Sequence, residues 1–195
     1  MAFKKVYIPI APLKEHKDFD VWYEDGMQFM HVQSDWESEK SRIAIMSRHN
    51  AEMASIKPDN KALCYDIRVE RYTYTLHTYT IFEHYYIEGM LWQMHGTLAK
   101  NHVHFESEAT NKNEVLVTVV KFEDKGPCYE VKVKEISHLR IAAACIIAIA
   151  NKEAWKGLSE GEKDDSLPWY KKVSRYFLEP GMTYEQVLAA KENKE

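Results

Sequence analysis

Residues 139–151 read LRIAAACIIAIAN, and within them only Arg140 and the terminal Asn151 are polar. A helix that is apolar all round must be enclosed, either by protein or by lipid. Length decides between the two. The uninterrupted run from Ile141 to Ala150 rises about 15 Å at about 1.5 Å per residue, whereas a bilayer core is about 30 Å thick. The stretch is therefore a core helix, not a membrane span. Its many alanines keep it thin, which suits a helix threaded through a closed sheet. The central helix is assigned to residues 138–151, with Ser137 as its N-cap. Leu139, Ile141, Ala143, Ile146, Ile147 and Ile149 carry its contacts with the core.

The segments leading to this helix are strands. Residues 129–134, YEVKVK, set Tyr129, Val131 and Val133 against Glu130, Lys132 and Lys134; a period of two marks a strand with one buried face. Residues 63–70, LCYDIRVE, alternate in the same way, with Leu63, Tyr65, Ile67 and Val69 on one face. Residues 115–122, VLVTVVKF, are apolar on both faces, as in a covered central strand. Residues 72–82 are β-rich, but their apolar phase slips between Leu76 and Tyr79, which predicts a bulge. Further strands are predicted at 4–9, 19–24, 28–33, 42–47, 86–92 and 101–107. Glu24-Asp25-Gly26 reads as a hairpin turn, and Pro58-Asp59-Asn60 and Asp124-Lys125-Gly126-Pro127 as further turns. Ten or more short strands with tight connections form a barrel or sandwich.

After Asn151 the sequence becomes polar, KEAWKGLSEGEKDD, and reads as a helix end followed by a linker. Two amphipathic helices are predicted beyond it. Ser166 caps the first, and Thr183 with Gln186 forms a capping box for the second. The division is thus a barrel domain over 1–151 and a linker with a helical extension over 152–195.

The bulk composition excludes several classes. Lys and Arg total 26 against 30 Asp and Glu, a formal charge of -4; a duplex nucleic-acid binder is usually basic. The three cysteines, Cys64, Cys128 and Cys145, are odd in number and lack a C-x-x-C spacing, which reads as free thiols in a reducing compartment. Pro9 and Pro12 interrupt the apolar N-terminal stretch, so it is not read as a secretion signal. A cytoplasmic location follows as the expectation.

Antiparallel strands such as YDIRVERYTYTLHTYTIF and IEGMLWQMHGTLA, then YEVKVKE, then HLRIAAACIIAIAN, resemble the tubby C-terminal-like superfamily over residues 4–151. That group includes the tubby domain, phospholipid scramblases and LURP-one-related proteins. The resemblance implies a closed antiparallel barrel of about twelve strands around a central hydrophobic helix. It also makes phospholipid binding conceivable. The basic head-group contacts of tubby and the calcium segment of scramblases have no counterpart motif in this chain.

Three groups of residues carry candidate chemistry. His102, His104 and Glu106 alternate with Val103 and Phe105 and would share a strand face, and two histidines with a carboxylate suit a metal. His95 or His138 would supply a third nitrogen. The plain alternative is a solvated polar face. His31, His77 and His84 would act as general bases if paired with carboxylates such as Glu83 or Glu88, or else are structural. Trp169, Lys171, Lys172 and Arg175 belong to a basic and aromatic segment that would lie on an anionic membrane surface or bind a partner. Its alternative is a helix docked on the barrel. No nucleophile elbow, phosphate loop, dinucleotide fingerprint or diagnostic Cys/His spacing occurs.

The expectation is therefore a non-enzymatic interaction module without a cofactor, contacting a phospholipid surface or a protein. Two alternatives stand beside it: a metal-dependent hydrolase using His102 and His104, and a barrel carrying a small apolar ligand. The carrier requires residues 139–151 to pack outside the sheet.

Overall fold

Twelve strands follow one another around a closed barrel, each antiparallel to its neighbours. The structure is a computed structural model that describes residues 4–59, 64–79, 84–98 and 102–160. The strands are β1 (Lys4–Pro9), β2 (Phe19–Tyr23), β3 (Gln28–Gln33), β4 (Ile43–Met46), β5 (Glu52–Pro58), β6 (Cys64–Val69), β7 (Tyr72–Tyr79), β8 (His84–Glu88), β9 (Trp92–Thr97), β10 (His102–Ser107), β11 (Lys112–Lys121) and β12 (Pro127–Val133). A short helix, α1 (Ile10–Lys14), joins β1 to β2, and α2 (Leu139–Glu160) follows β12. The barrel closes where β1 pairs with β12, from Lys4 opposite Val133 to Pro9 opposite Cys128. The described residues up to Leu158 belong to one compact unit.

The alternation seen in the sequence sets the two faces. Tyr65 and Ile67 of β6, and Tyr129, Val131 and Val133 of β12, point inward and are buried. Asp66 and Arg68 are exposed. Inward residues from all twelve strands join α2 in one apolar core. From Ala142 to Ile149 every helix residue has no exposed surface. Burying one such Ile contributes about 1.5–3 kcal/mol, and the alanines on the other turns let the sheet approach the helix closely.

Outside the barrel, a smaller apolar cluster of Tyr7, Phe122 and Cys128, with Trp22 and Val120, covers the closing seam. Tyr7 and Phe122 stack with ring centroids 4.0 Å apart. That cluster accounts for apolar residues on both faces of 115–122. The predicted turn at 124–127 is a single 3-10 turn, Glu123–Lys125, followed by Gly126.

Several expectations are corrected. The segment predicted as one strand over 86–92 contains the end of β8, a turn, and the start of β9. Gly89 permits that turn: its φ is +87°, and a Cβ there would lie 3.1 Å from the Tyr74 ring. Strand β5 and helix α1 were not anticipated. The expected bulge in β7 does not occur in the described ladder, which pairs without a shift from Thr75 opposite Glu88 to Tyr79 opposite His84. The phase slips for another reason. Thr78 is buried, and its Oγ1 accepts a hydrogen bond of 2.5 Å from Lys152 Nζ.

Lys152 also corrects the end of the central helix. The polar residues after 150 do not end it; α2 runs to Glu160, with Asn151 2% and Lys152 3% exposed. At its start, Ser137 lies inside a 3-10 turn, Ile136–His138, instead of capping the helix. The helices predicted after Ser166 and Thr183, and Trp169, Lys171, Lys172 and Arg175 with them, lie outside the described residues.

Candidate functional site

The barrel interior is occupied by protein. The apolar-ligand carrier needed residues 139–151 outside the sheet, and they lie inside it, packed against the inward strand residues. Cys145 sits in that packing with no exposed surface, and burial pushes its thiol pKa up. Chemistry is thereby left to the outer wall and the two rims.

On the wall, β9 and β10 bring three metal-ligand types together. His104 lies directly opposite His95 in the ladder. Their rings stack with centroids 5.1 Å apart and planes 18° from parallel. Glu106, two residues along β10, places its Oε2 3.5 Å from His95 Nε2. One ligand atom from each of His95, His104 and Glu106 lies within 4.8 Å of the other two. The strand pairing also shifts between Phe105 and Glu106 where β10 meets β11; a bulge of this kind re-aims nearby side chains.

Of the two histidines named as a third ligand, His95 joins this group and His138 does not. His138 sits edge-on against Trp92, 5.2 Å between centroids, and Trp92 points into the core. The backbone of His102 pairs with Thr97 and Thr118; its side chain is outside the described part of the structure.

A second group went unseen in the sequence. Cys64 lies opposite His77, with Sγ 3.4 Å from His77 Nδ1. His77 Nε2 is 3.0 Å from Glu88 Oε2. The order thiol, imidazole, carboxylate is that of an activated nucleophile. The electrostatics run the other way. Burial, and then the charges of Asp59 and Asp66, push the Cys64 thiol pKa up, so the thiolate is disfavoured at neutral pH. Pairing of His77 with Glu88 was foreseen as one option; the cysteine came in only through the register of β6 on β7.

His31 Nδ1 is 2.8 Å from Asp20 Oδ1, which also accepts a hydrogen bond from Gln28 Nε2. Glu130 is buried on the outer face of β12. It accepts hydrogen bonds from Tyr7 Oη and Thr118 Oγ1, and Lys132 Nζ is 2.5 Å away. Burial acts most strongly on its carboxyl and raises the pKa, but Lys132, Tyr7 and Lys5 together outweigh it and leave the group below the usual range.

With this geometry in hand, comparison with known proteins gives a fold. No protein-family profile and no curated protein sequence matches the chain. Its backbone is similar to the X-ray structure of the protein AT5G01750 from Arabidopsis thaliana, with a TM-score of 0.55. The alignment covers 77% of this chain and 91% of that one at 8% identity. The chain shares the plant protein's fold. The likeness indicates no catalytic family. Among the described residues, no helix is long and apolar enough to cross a membrane.

Proposed function

We propose that the chain is a non-enzymatic contact module of the tubby C-terminal-like superfamily, working in the cytoplasm through its outer surface. The observation that carries this reading is the filled interior: α2 occupies the space in which a barrel would hold a ligand. The superfamily assignment is supported by three features together. Twelve strands follow in sequence order, β1 closes on β12, and the enclosed helix comes directly after β12.

The surface supports contact at one end. Met27, Tyr72, Leu91 and Ile136 are the exposed large hydrophobic residues among those described, at 56%, 52%, 46% and 64%. Each lies in or beside a connection at the end where α2 enters: β2 to β3, β6 to β7, β8 to β9, and β12 to α2. Exposed apolar residues gathered on one rim suit an interaction face.

Charge says which part would meet an anionic membrane. Lys5, Arg42, Lys132 and Arg140 lie against Glu24, Glu52, Glu130 and Glu70. Each of these four charges is already paired. Trp169, Lys171, Lys172 and Arg175, where lysine and arginine stand beside aromatic residues in the sequence, are the contact proposed for anionic lipid.

Co-sedimentation of the full chain with neutral and with anionic vesicles, at low and moderate salt, tests the membrane contact. Salt-sensitive binding to anionic vesicles is expected, and it should be lost when Lys171, Lys172 and Arg175 are replaced by Ala. Absence of binding under every condition overturns the membrane contact and leaves a protein partner.

A further inference from the structure

The geometry points to a divalent transition-metal site on the barrel wall, built by His95, His104 and Glu106 and independent of the contact function. Two imidazoles and one carboxylate are the donor set of late first-row ions such as Zn²⁺, Cu²⁺ and Ni²⁺; Ca²⁺ and Mg²⁺ want oxygen throughout. The three donor atoms already lie within 4.8 Å of one another. Bonds of about 2.0–2.1 Å in a tetrahedral site set ligand atoms roughly 3.4 Å apart. His95 Nε2 and Glu106 Oε2, at 3.5 Å, stand at that spacing before any ion binds.

The scaffold holds the backbones, and the stacked imidazoles, 18° from parallel, turn to aim one nitrogen each at a common ion. His95 and His104 are direct cross-strand partners, so the sheet fixes their backbones, while side chains 41% exposed at His95 and 36% at Glu106 keep room to turn. Three protein donors leave the fourth position to water, and a half-exposed wall leaves that position open to exchange. The site therefore binds and releases an ion. Because imidazole must be neutral to ligate, protons compete with the ion for the site.

The experiment titrates the chelator-treated, untagged full chain with Zn²⁺ by calorimetry, and with Co²⁺ by visible absorption. One equivalent is expected to bind. His95→Gln and His104→Gln should each weaken binding at least tenfold, and Glu106→Gln by a smaller factor. Thermal unfolding in chelator checks that these variants fold like the parent. Should any fail to fold, His95→Asn and His104→Asn carry the same test, with loss of Co²⁺ absorption as the second readout. The inference is overturned if both His variants bind Zn²⁺ as tightly as the parent. It is equally overturned if the parent takes up none at about 100 μM free ion, a concentration at which a micromolar site would be full.

Discussion

The inside and the outer wall of this barrel are built from alternate residues of the same strands, yet they differ in kind. Inward positions meet α2 with no polar group between Ile141 and Ala150. Outward positions collect the ion pairs, the stacked histidines and the Cys64–His77–Glu88 chain. The interior determines that the chain folds one way, and the wall is free to vary in chemistry. A change on the inside should therefore cost far more than a change one residue along the same strand or one layer out.

The largest effect tests that contrast most directly. Ala143→Asp or Ile147→Asp places an unpaired charge among fully buried neighbours, a loss beyond about 4–5 kcal/mol and enough to abolish folding. Circular dichroism should show no cooperative unfolding transition; a stable, well-folded variant would break the comparison.

Glu130 lies between the two regimes, outward yet buried. Glu130→Gln should cost about 1–3 kcal/mol near neutral pH through weakened hydrogen bonds. Its folded pKa lies below the reference of 4.5. The carboxylate's extra stability is thus fully present above that value and is lost as pH falls through the lowered pKa. Urea titrations from pH 7 to pH 3 should show parent and variant converging at the acid end, these limits being chosen about the carboxylate range. A constant gap would mean that the charge contributes nothing.

Arg42→Ala removes one member of an exposed ion pair with Glu52 and should change stability by less than about 1 kcal/mol. A larger loss by the same titration would place part of the fold's specification on the wall. Smallest in energy is the state of Cys64. With its pKa pushed up by burial and by Asp59 and Asp66, iodoacetamide labelling should be slower at neutral pH than that of an exposed thiol and should rise steadily with pH into the alkaline range. Fast labelling near neutrality would mark the chain from Cys64 to Glu88 as an activated nucleophile.

The inside was readable from sequence because burial on a strand or helix writes itself as periodicity. Ten apolar residues in a row gave the helix, and alternation gave the strands around it. Failures came where burial did not look apolar. Lys152 and Asn151 read as a solvated helix end, but both are buried and Lys152 donates a hydrogen bond to Thr78 of β7. Strand β5, EMASIKP, hides its inward residues Ala54, Ile56 and Pro58 among Glu, Ser and Lys. The turn between β8 and β9 offers only Gly89 as a signal. On the wall, residue types were visible but partners were not. His102, His104 and Glu106 share a periodic stretch; His95 joins His104 only through the register of β9 on β10. Cys64 meets His77 by the same kind of pairing, which no local spacing encodes.

The closing seam governs the order in which the molecule can be made. Val6 pairs with Val131, so the first strand waits for the last, and the helix that fills the barrel is synthesised after both. Neighbouring hairpins can form early as they leave the ribosome. None of them has a core until residues 139–150 emerge. Until then β1 presents an unpaired edge beside an uncovered apolar face, the arrangement that invites mispairing with other chains. Closure that joins the ends of so long a meander is a slow step. Closure of the barrel therefore waits until α2 has emerged, and a chain halted before α2 would present its inward strand residues as an open apolar face.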